Sequence, residues 1–225
     1  MRKSIQVSER ENHSLSNKRQ TAWILTLSGV VWLLTLWIGF GKLLTYSYAA
    51  GPVEVSPGRW PAESQIHSVH ERPTLIMFAH PKCPCTRASL GELARLVAMC
   101  PGKFDAHVEF LRPVNCSEEW ARSDLWDNAS VIPGVTVRSD SNGVEAGRFN
   151  ATTSGYVVLY SASGDLLFSG GITASRGHSG DNAGRDALVM LLNGSTSVQI
   201  QTPVFGCPLG NADTACSGGM VSCAR

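Results

Sequence analysis

The hydrophobic pattern begins with one long apolar run near the N-terminus. Residues 22–41 contain no charged side chain, and about 20 such residues are enough for a helix to span a bilayer. Trp23 and Trp37 lie near the two ends of the run, where tryptophans anchor helices at membrane interfaces. We predict a transmembrane helix over 22–41. The following residues, 42–65, contain prolines and glycines without apolar periodicity and predict a linker.

Beyond residue 65, short apolar runs alternate with helical periodicities. An unbroken apolar run at 74–79 predicts a central strand covered on both faces. Leucines and small apolar residues at helical spacing follow, and Pro101-Gly102 ends that helix. Further strands are predicted at 107–112, 135–138, 156–161 and 166–169, and further helices at about 118–129, 144–149 and 183–192. This order predicts one α/β domain over 66–195, a central mixed sheet flanked by helices, and a cysteine-containing tail over 196–225.

Composition and charge restrict the classes of function. The chain has 225 residues, is 43% hydrophobic and only 16% charged, and has a formal charge of +1. Disorder and binding to nucleic acid by bulk charge are therefore not expected. Residues 1–21 hold five basic and two acidic side chains, which predicts a cytoplasmic N-terminal tail and a periplasmic or otherwise extracytoplasmic domain. A cleaved signal peptide is the alternative, but its apolar core is usually shorter than this one.

Export changes the meaning of the seven cysteines, because extracytoplasmic compartments permit disulfides. Seven is an odd number, so at least one thiol is not in an intrachain disulfide. Cys100 and Cys116 are explained by burial or by a mutual disulfide. In the tail, Cys207, Cys216 and Cys223 predict a disulfide that pins the tail to the domain. An alternative is that Cys207 exchanges electrons with the site at Cys83.

The candidate chemistry lies directly after the first predicted strand, in the sequence HPKCPC. Sites in open α/β sheets form beyond the carboxyl ends of strands. With Cys83 as helix N-cap, Pro84 occupies the first helical position, which suits its fixed φ. The helix dipole and the charge of Lys82 then favour a thiolate at Cys83. Cys85 serves as the second thiol of a reducible Cys-x-Cys pair. The alternative is that both cysteines form structural disulfides with distant partners.

A glycine-rich loop follows the last predicted strand. Gly170 and Gly171 permit a close backbone approach by a partner, and Arg176 and His178 add positive charge near Cys83. The alternative is a connector whose glycines only form turns.

Two stretches carry a resemblance to a known family. PTLIMFAHPKCPC and residues 135–171 resemble membrane-tethered, extracytoplasmic thioredoxin-like proteins of the kind involved in cytochrome maturation. HPKCPCTRAS and GDLLFSGGITASRGHSGDN are most similar to bacterial RedB proteins. The resemblance covers about 66–195 and implies a thioredoxin-like fold, thiol-disulfide exchange with a thiol or disulfide-containing protein, and no cofactor. It also implies that Cys83 is the exposed attacking cysteine at the helix start.

The chain departs from that family at two places. The usual Cys-x-x-Cys is shortened to Cys83-Pro84-Cys85, and Thr153-Ser154-Gly155 stands where a cis-proline usually precedes the hairpin. These departures keep a metal site open as an alternative, in which Cys83 and Cys85 with His80 or His178 bind copper or zinc. The chain would then be a copper-binding or metal-centre assembly protein. A peroxiredoxin-like peroxidase is less consistent with the local sequence.

Overall fold

The computed structural model describes residues 2–52, 54–67, 71–194 and 201–210, with the backbone alone for 2–18. Helix α1 spans Arg2–Ser47. Within it, Arg19–Ser47 has a mean hydropathy of 1.9 and is long and apolar enough to cross a membrane. The predicted apolar helix at 22–41 lies inside this stretch, and its large hydrophobic side chains are exposed. Residues up to 46 and residues from 47 on form two separate units.

The second unit is built on a five-stranded sheet. Its elements are β1 Thr74–Ala79, α2 Pro84–Met99, β2 Asp105–Arg112, α3 Glu118–Ala121, α4 Asp124–Ser130, β3 Val135–Ser141, α5 Val144–Arg148, β4 Tyr156–Tyr160, β5 Leu166–Gly171 and α6 Ala183–Leu192. The strand order is β3-β2-β1-β4-β5. β1, β2 and β3 are parallel, whereas β4 is antiparallel to both β1 and β5. This mixed sheet flanked by helices confirms the predicted thioredoxin-like fold.

The central strand β1 is buried along its whole length, as its unbroken apolar run predicts. Because side chains alternate along a strand, Leu75 and Met77 enter one core cluster and Ile76 and Phe78 enter the other. Helices α2, α4 and α6 supply apolar residues to the first cluster. Helix α5 and residues from the predicted linker and tail supply the second.

Residues 42–65 are therefore not a free linker over their whole length. The indole of Trp60 packs edge-on against Phe149 and Tyr160, with both centroid distances 5.3 Å. Tyr160 Oη donates a hydrogen bond to the carbonyl of Pro57 at 2.7 Å, and the backbone N–H of Gly51 donates to Val204 O at 2.8 Å. The segment covers one face of the sheet although its sequence has no periodic pattern.

The predicted helix at 118–129 is two helices, α3 and α4. The chain leaves helical conformation at Arg122, and Ser123 then caps α4 by accepting a hydrogen bond from the backbone N–H of Leu125. The Ser123 hydroxyl also donates to Pro81 O at 2.7 Å. The residue at the break between α3 and α4 therefore anchors the loop that follows β1.

A buried ion pair joins helix α2 to helix α6. The Glu92 side chain is fully buried, and Arg185 Nη1 contacts its Oε2 at 2.6 Å. The Oε1 atom accepts from the backbone N–H of Gly180 at 2.8 Å and contacts Arg95 Nη1 at 2.5 Å. Glu92 thus holds α2 against the loop that enters α6.

We expect Arg185→Met to lower the free energy of unfolding by about 3–5 kcal/mol, because removing one partner leaves a buried carboxylate without its main countercharge. Chemical denaturation of the full chain in detergent, followed by tryptophan fluorescence, measures the loss. Arg95→Ala is the matched control: it removes a half-exposed partner of the same carboxylate and should cost less than about 1 kcal/mol. Equal losses in the two variants would contradict the role given to Arg185.

Candidate active site

The two thiols of the Cys-Pro-Cys sequence lie at the carboxyl end of β1. Cys83 is the N-cap residue of α2, with an extended backbone, and Pro84 occupies the first helical position. The backbone N–H of Cys83 donates to His80 O at 3.2 Å, and Cys83 O accepts from the N–H of Thr86 at 3.1 Å. The turn between strand and helix therefore holds Cys83 at the start of α2, where the sequence predicted it.

Cys83 and Cys85 are both free thiols. They are also buried, with Cys83 1% exposed and Cys85 7% exposed, so Cys83 is not the exposed cysteine that the resemblance implies. Together with Cys207, itself 1% exposed, they form a separate buried cluster. A structural disulfide from either thiol to a distant cysteine is therefore not the arrangement found.

Hydrogen bonds at this cluster separate the acidities of the two thiols. A hydrogen bond from Cys85 lowers the pKa of Cys83 to about 5. Burial of the Cys83 side chain acts in the opposite direction and raises its pKa. The backbone N–H of Cys207 also lowers the pKa of Cys83, with smaller effects from Thr86. The same hydrogen bond raises the pKa of Cys85, and burial raises it further. These opposite shifts favour a thiolate at Cys83 and a protonated thiol at Cys85.

Ser154 lies directly beneath the turn that carries the thiols. Its Oγ accepts a hydrogen bond from the backbone N–H of His80 at 2.8 Å and is 2.8 Å from Thr86 Oγ1. Its own backbone N–H donates to Cys207 O at 2.8 Å. Ser154 therefore joins three segments: the turn after β1, the first turn of α2, and the tail.

His80 and Lys82 are engaged with each other and with Trp120. His80 Nδ1 accepts from the backbone N–H of Lys82 at 3.1 Å, and its ring lies edge-on to Trp120 at a centroid distance of 5.6 Å. Burial, and then the charge of Lys82, lower the pKa of His80 to about 4, so its ring is neutral. Lys82 Nζ lies 4.5 Å from the Trp120 ring centroid in a cation–π contact.

Arg176 and His178 differ in their relation to the thiols. Arg176 donates to Gly206 O at 2.8 Å and to Ala49 O at 3.1 Å, and its charge opposes the rise in the pKa of Cys85. His178 lies in a turn in which its backbone N–H donates to Ser175 O. Within the described ranges, the structure gives His178 no contact with Cys83 or Cys85.

The close approach predicted at Gly170 and Gly171 is made by the chain itself. A Cβ on Gly170 would lie 2.4 Å from Thr202 O, and one on Gly171 would lie 2.5 Å from Pro203 O. Both glycines lie in β5 and not in the loop after it, and residues 201–204 run alongside that strand before the chain reaches Cys207. Sequence reasoning did not place them there, although the apolar Val204-Phe205 beside Gly206-Cys207 was a signal of a buried segment.

The other cysteines differ in state. Cys100 is a free, buried thiol, so it does not form the mutual disulfide with Cys116 that was one explanation. Cys116 and Cys207 are each disulfide-bonded. Cys216 and Cys223 lie outside the described residues.

Comparisons with known proteins bear on the fold. No protein-family model and no curated protein matches this chain. An uncharacterized conserved protein from Geobacillus kaustophilus is 17% identical, with 72% of this chain and 92% of that one covered and a TM-score of 0.51. A hypothetical protein from Sinorhizobium meliloti is 18% identical, with 73% and 95% covered and a TM-score of 0.52. An exposed lipoprotein thioredoxin from Streptococcus pneumoniae is 14% identical, with 55% and 84% covered and a TM-score of 0.41.

The hydrogen bond between the two thiols makes the acidity of Cys83 depend on Cys85. In Cys85→Ala we expect the pH midpoint of thiolate absorbance to rise by roughly 1–2 units, because a hydrogen bond to a charged group is worth about 1.5–3 kcal/mol. The measurement is an ultraviolet titration of the chain with its free thiols reduced. Cys100→Ser is the control, since burial raises the pKa of Cys100 and keeps it protonated in this range. An unchanged midpoint in Cys85→Ala would contradict the assignment.

Proposed function

We propose that this chain is a membrane-tethered, extracytoplasmic thiol-disulfide oxidoreductase that uses the Cys83-Pro84-Cys85 sequence. The observation that carries the proposal is a pair of free, buried, clustered thiols, with Cys83 at the N-cap of the helix that follows the central strand. A hydrogen bond from Cys85 lowers the pKa of Cys83 at this place. The thiolate is the nucleophile in disulfide exchange. Two cysteines supply both electrons of the reaction, so no cofactor is required.

The different acidities assign the two roles. Cys83, as thiolate, attacks a disulfide of a protein partner and forms a mixed disulfide, and one partner thiolate leaves. The hydrogen bond to the Cys83 thiolate is the first cause of the raised pKa of Cys85. This hydrogen bond to a thiolate is lost once the Cys83 sulfur is in a neutral disulfide, so it no longer raises the pKa of Cys85. Cys85 then loses its proton, attacks Cys83 Sγ and releases the second partner thiol, so it resolves the complex.

The helix α1 supports the proposed tether. Its apolar stretch is long enough to cross a membrane, and the basic excess before it favours a cytoplasmic N-terminus. The likeness of HPKCPC to RedB proteins supports the same compartment. An oxidising compartment is also where the disulfides at Cys116 and Cys207 would persist.

A copper-binding or metal-centre assembly protein is the competing hypothesis. The residues that the structure describes contain no group of three or more His, Cys, Asp or Glu side chains placed to hold a metal ion. His80 already uses its Nδ1 to accept a hydrogen bond from Lys82. A metal at this site would therefore depend on the two sulfurs, which makes them equivalent ligands and gives the two hypotheses opposite mutational signatures.

We expect Cys85→Ser to accumulate disulfide-linked complexes with partner proteins through Cys83, because the resolving thiol is missing. Cys83→Ser should accumulate few or none. Non-reducing gels of acid-quenched, alkylated membranes measure the complexes, and copper affinity is measured on the same two variants. Comparable loss of copper affinity in both variants, without disulfide-linked complexes in either, would refute the oxidoreductase and support the metal-binding hypothesis.

The proposed topology is tested separately. Protease added to intact spheroplasts should degrade the domain that follows α1 and spare residues 1–21. Lysed cells are the control, in which the N-terminal residues also become accessible. Protection of the domain in intact spheroplasts would place the thiols in the cytoplasm and contradict the proposed compartment.

A further inference from the structure

The tail closes the site that the proposed function uses. Within residues 201–210, Cys207 packs against Cys83 and Cys85 in one cluster. The two thiols are 1% and 7% exposed, so the protein partner of the proposed function reaches their sulfur atoms only after this segment moves aside. The first sulfur available to the Cys83 site is therefore the chain's own Cys207.

The tail is held at this place by backbone pairing. Pro208 forms an antiparallel bridge with Thr153, the N–H of Ser154 donates to Cys207 O, and the N–H of Leu209 donates to Thr152 O, both at 2.8 Å. Backbone pairing fixes the direction and register of a segment. Cys207 is thus presented to Cys83 in a defined position.

The pairing requires a glycine immediately before Cys207. A Cβ on Gly206 would lie 1.9 Å from Ser154 O, a distance that no side chain permits. Arg176 donates a hydrogen bond to Gly206 O at 2.8 Å and also interacts with Cys85. Arg176 therefore links the tail to the second thiol of the pair.

Cys207 is in a disulfide, whereas Cys83 and Cys85 are free. We propose that Cys207 is a third exchange cysteine, whose sulfur trades disulfide bonds with the Cys83–Cys85 pair within the same chain. This inference rests on the proposed thiol-disulfide function and assigns the pair an internal electron donor. A reduced pair together with an oxidised Cys207, the arrangement in the structure, is the state that this exchange would produce.

The exchange needs no oxidant or reductant other than the thiols and the disulfide of the chain itself. In the oxidised pair, the thiolate of Cys207 attacks Cys83 Sγ, a Cys83–Cys207 bond forms, and Cys85 leaves as a thiolate and takes up a proton. The thiolate of the cysteine that pairs with Cys207 then attacks Cys207 Sγ and expels the Cys83 thiolate. Two electrons pass from the tail dithiol to the pair, and the protons of the tail thiols go to Cys85 and to solvent. Hydrogen bonds that stabilise the Cys83 thiolate make it a good leaving group.

The test follows disulfide formation in the fully reduced full chain, in detergent, after one equivalent of oxidised glutathione is added. Samples are quenched with acid at intervals, alkylated and mapped as non-reduced peptides. We expect a peptide joined through Cys83 and Cys207 to rise before the Cys207 disulfide seen in the structure. If Cys207 instead reaches its disulfide without a Cys83–Cys207 peptide, the proposal is wrong and Cys207 is a structural staple.

Two variants with matched controls test the geometry and the route. Gly206→Ala displaces the tail from Ser154 and should reduce the amount of the Cys83–Cys207 peptide. Gly210→Ala, with nothing within 4 Å of the added Cβ, should not reduce it.

In Cys83→Ser at pH 6, the Cys207 disulfide should form roughly five- to tenfold more slowly than in the natural chain, because the higher thiolate fraction of Cys83 outweighs its lower nucleophilicity. Cys100→Ser should leave the rate unchanged. Equal rates in all four variants would overturn the proposal.

These results separate the inference from the function on which it rests. Partner complexes in Cys85→Ser without any Cys83–Cys207 peptide would leave the oxidoreductase standing and refute the internal donor. A Cys83–Cys207 peptide without partner complexes would support the internal exchange and refute the action on protein partners. The peptide map of the natural chain does not depend on any variant folding correctly.

Discussion

A sulfur atom that is almost completely buried carries a negative charge only if hydrogen bonds or nearby positive charges stabilise it. Burial raises the pKa of Cys83, and the donors at Cys85 and Cys207 more than compensate. One donor comes from the first turn of α2, and the other comes from a segment more than a hundred residues later in the chain. The reactive state of Cys83 therefore depends on the tertiary structure as well as on its place at the start of a helix.

The rest of the domain holds the hydrogen-bond donors to Cys83 in position. Ser154 ties the loop before β4 to the turn after β1 and to the first turn of α2. The buried carboxylate of Glu92 fixes the same helix against α6 and the loop before it. Each of these contacts removes freedom from α2, whose N-terminus carries the thiols. The ion pair is thus linked to the chemistry through the position of one helix.

Local signals predicted the local parts of this arrangement. The apolar run of β1, the proline at the start of α2 and the turn between β4 and β5 are encoded by neighbouring residues, and the structure has each of them. The contact of Lys82 with Trp120 was not predicted, because adjacency in sequence does not reveal that its side chain lies over that ring. The packing of Trp60 and the position of Cys207 depend on long-range contacts, which no periodicity or motif in either segment encodes.

The serine at 154 illustrates how one local departure and one long-range contact depend on each other. In the family that the sequence resembles, a proline usually stands at this place, and a proline has no backbone N–H to donate. Here the N–H of Ser154 donates to Cys207 O, while its hydroxyl accepts from the N–H of His80. A proline would remove both bonds: the first holds the tail over the thiols, and the second supports the turn that carries them. The docking of the tail over the thiols therefore depends on having a residue other than proline at position 154.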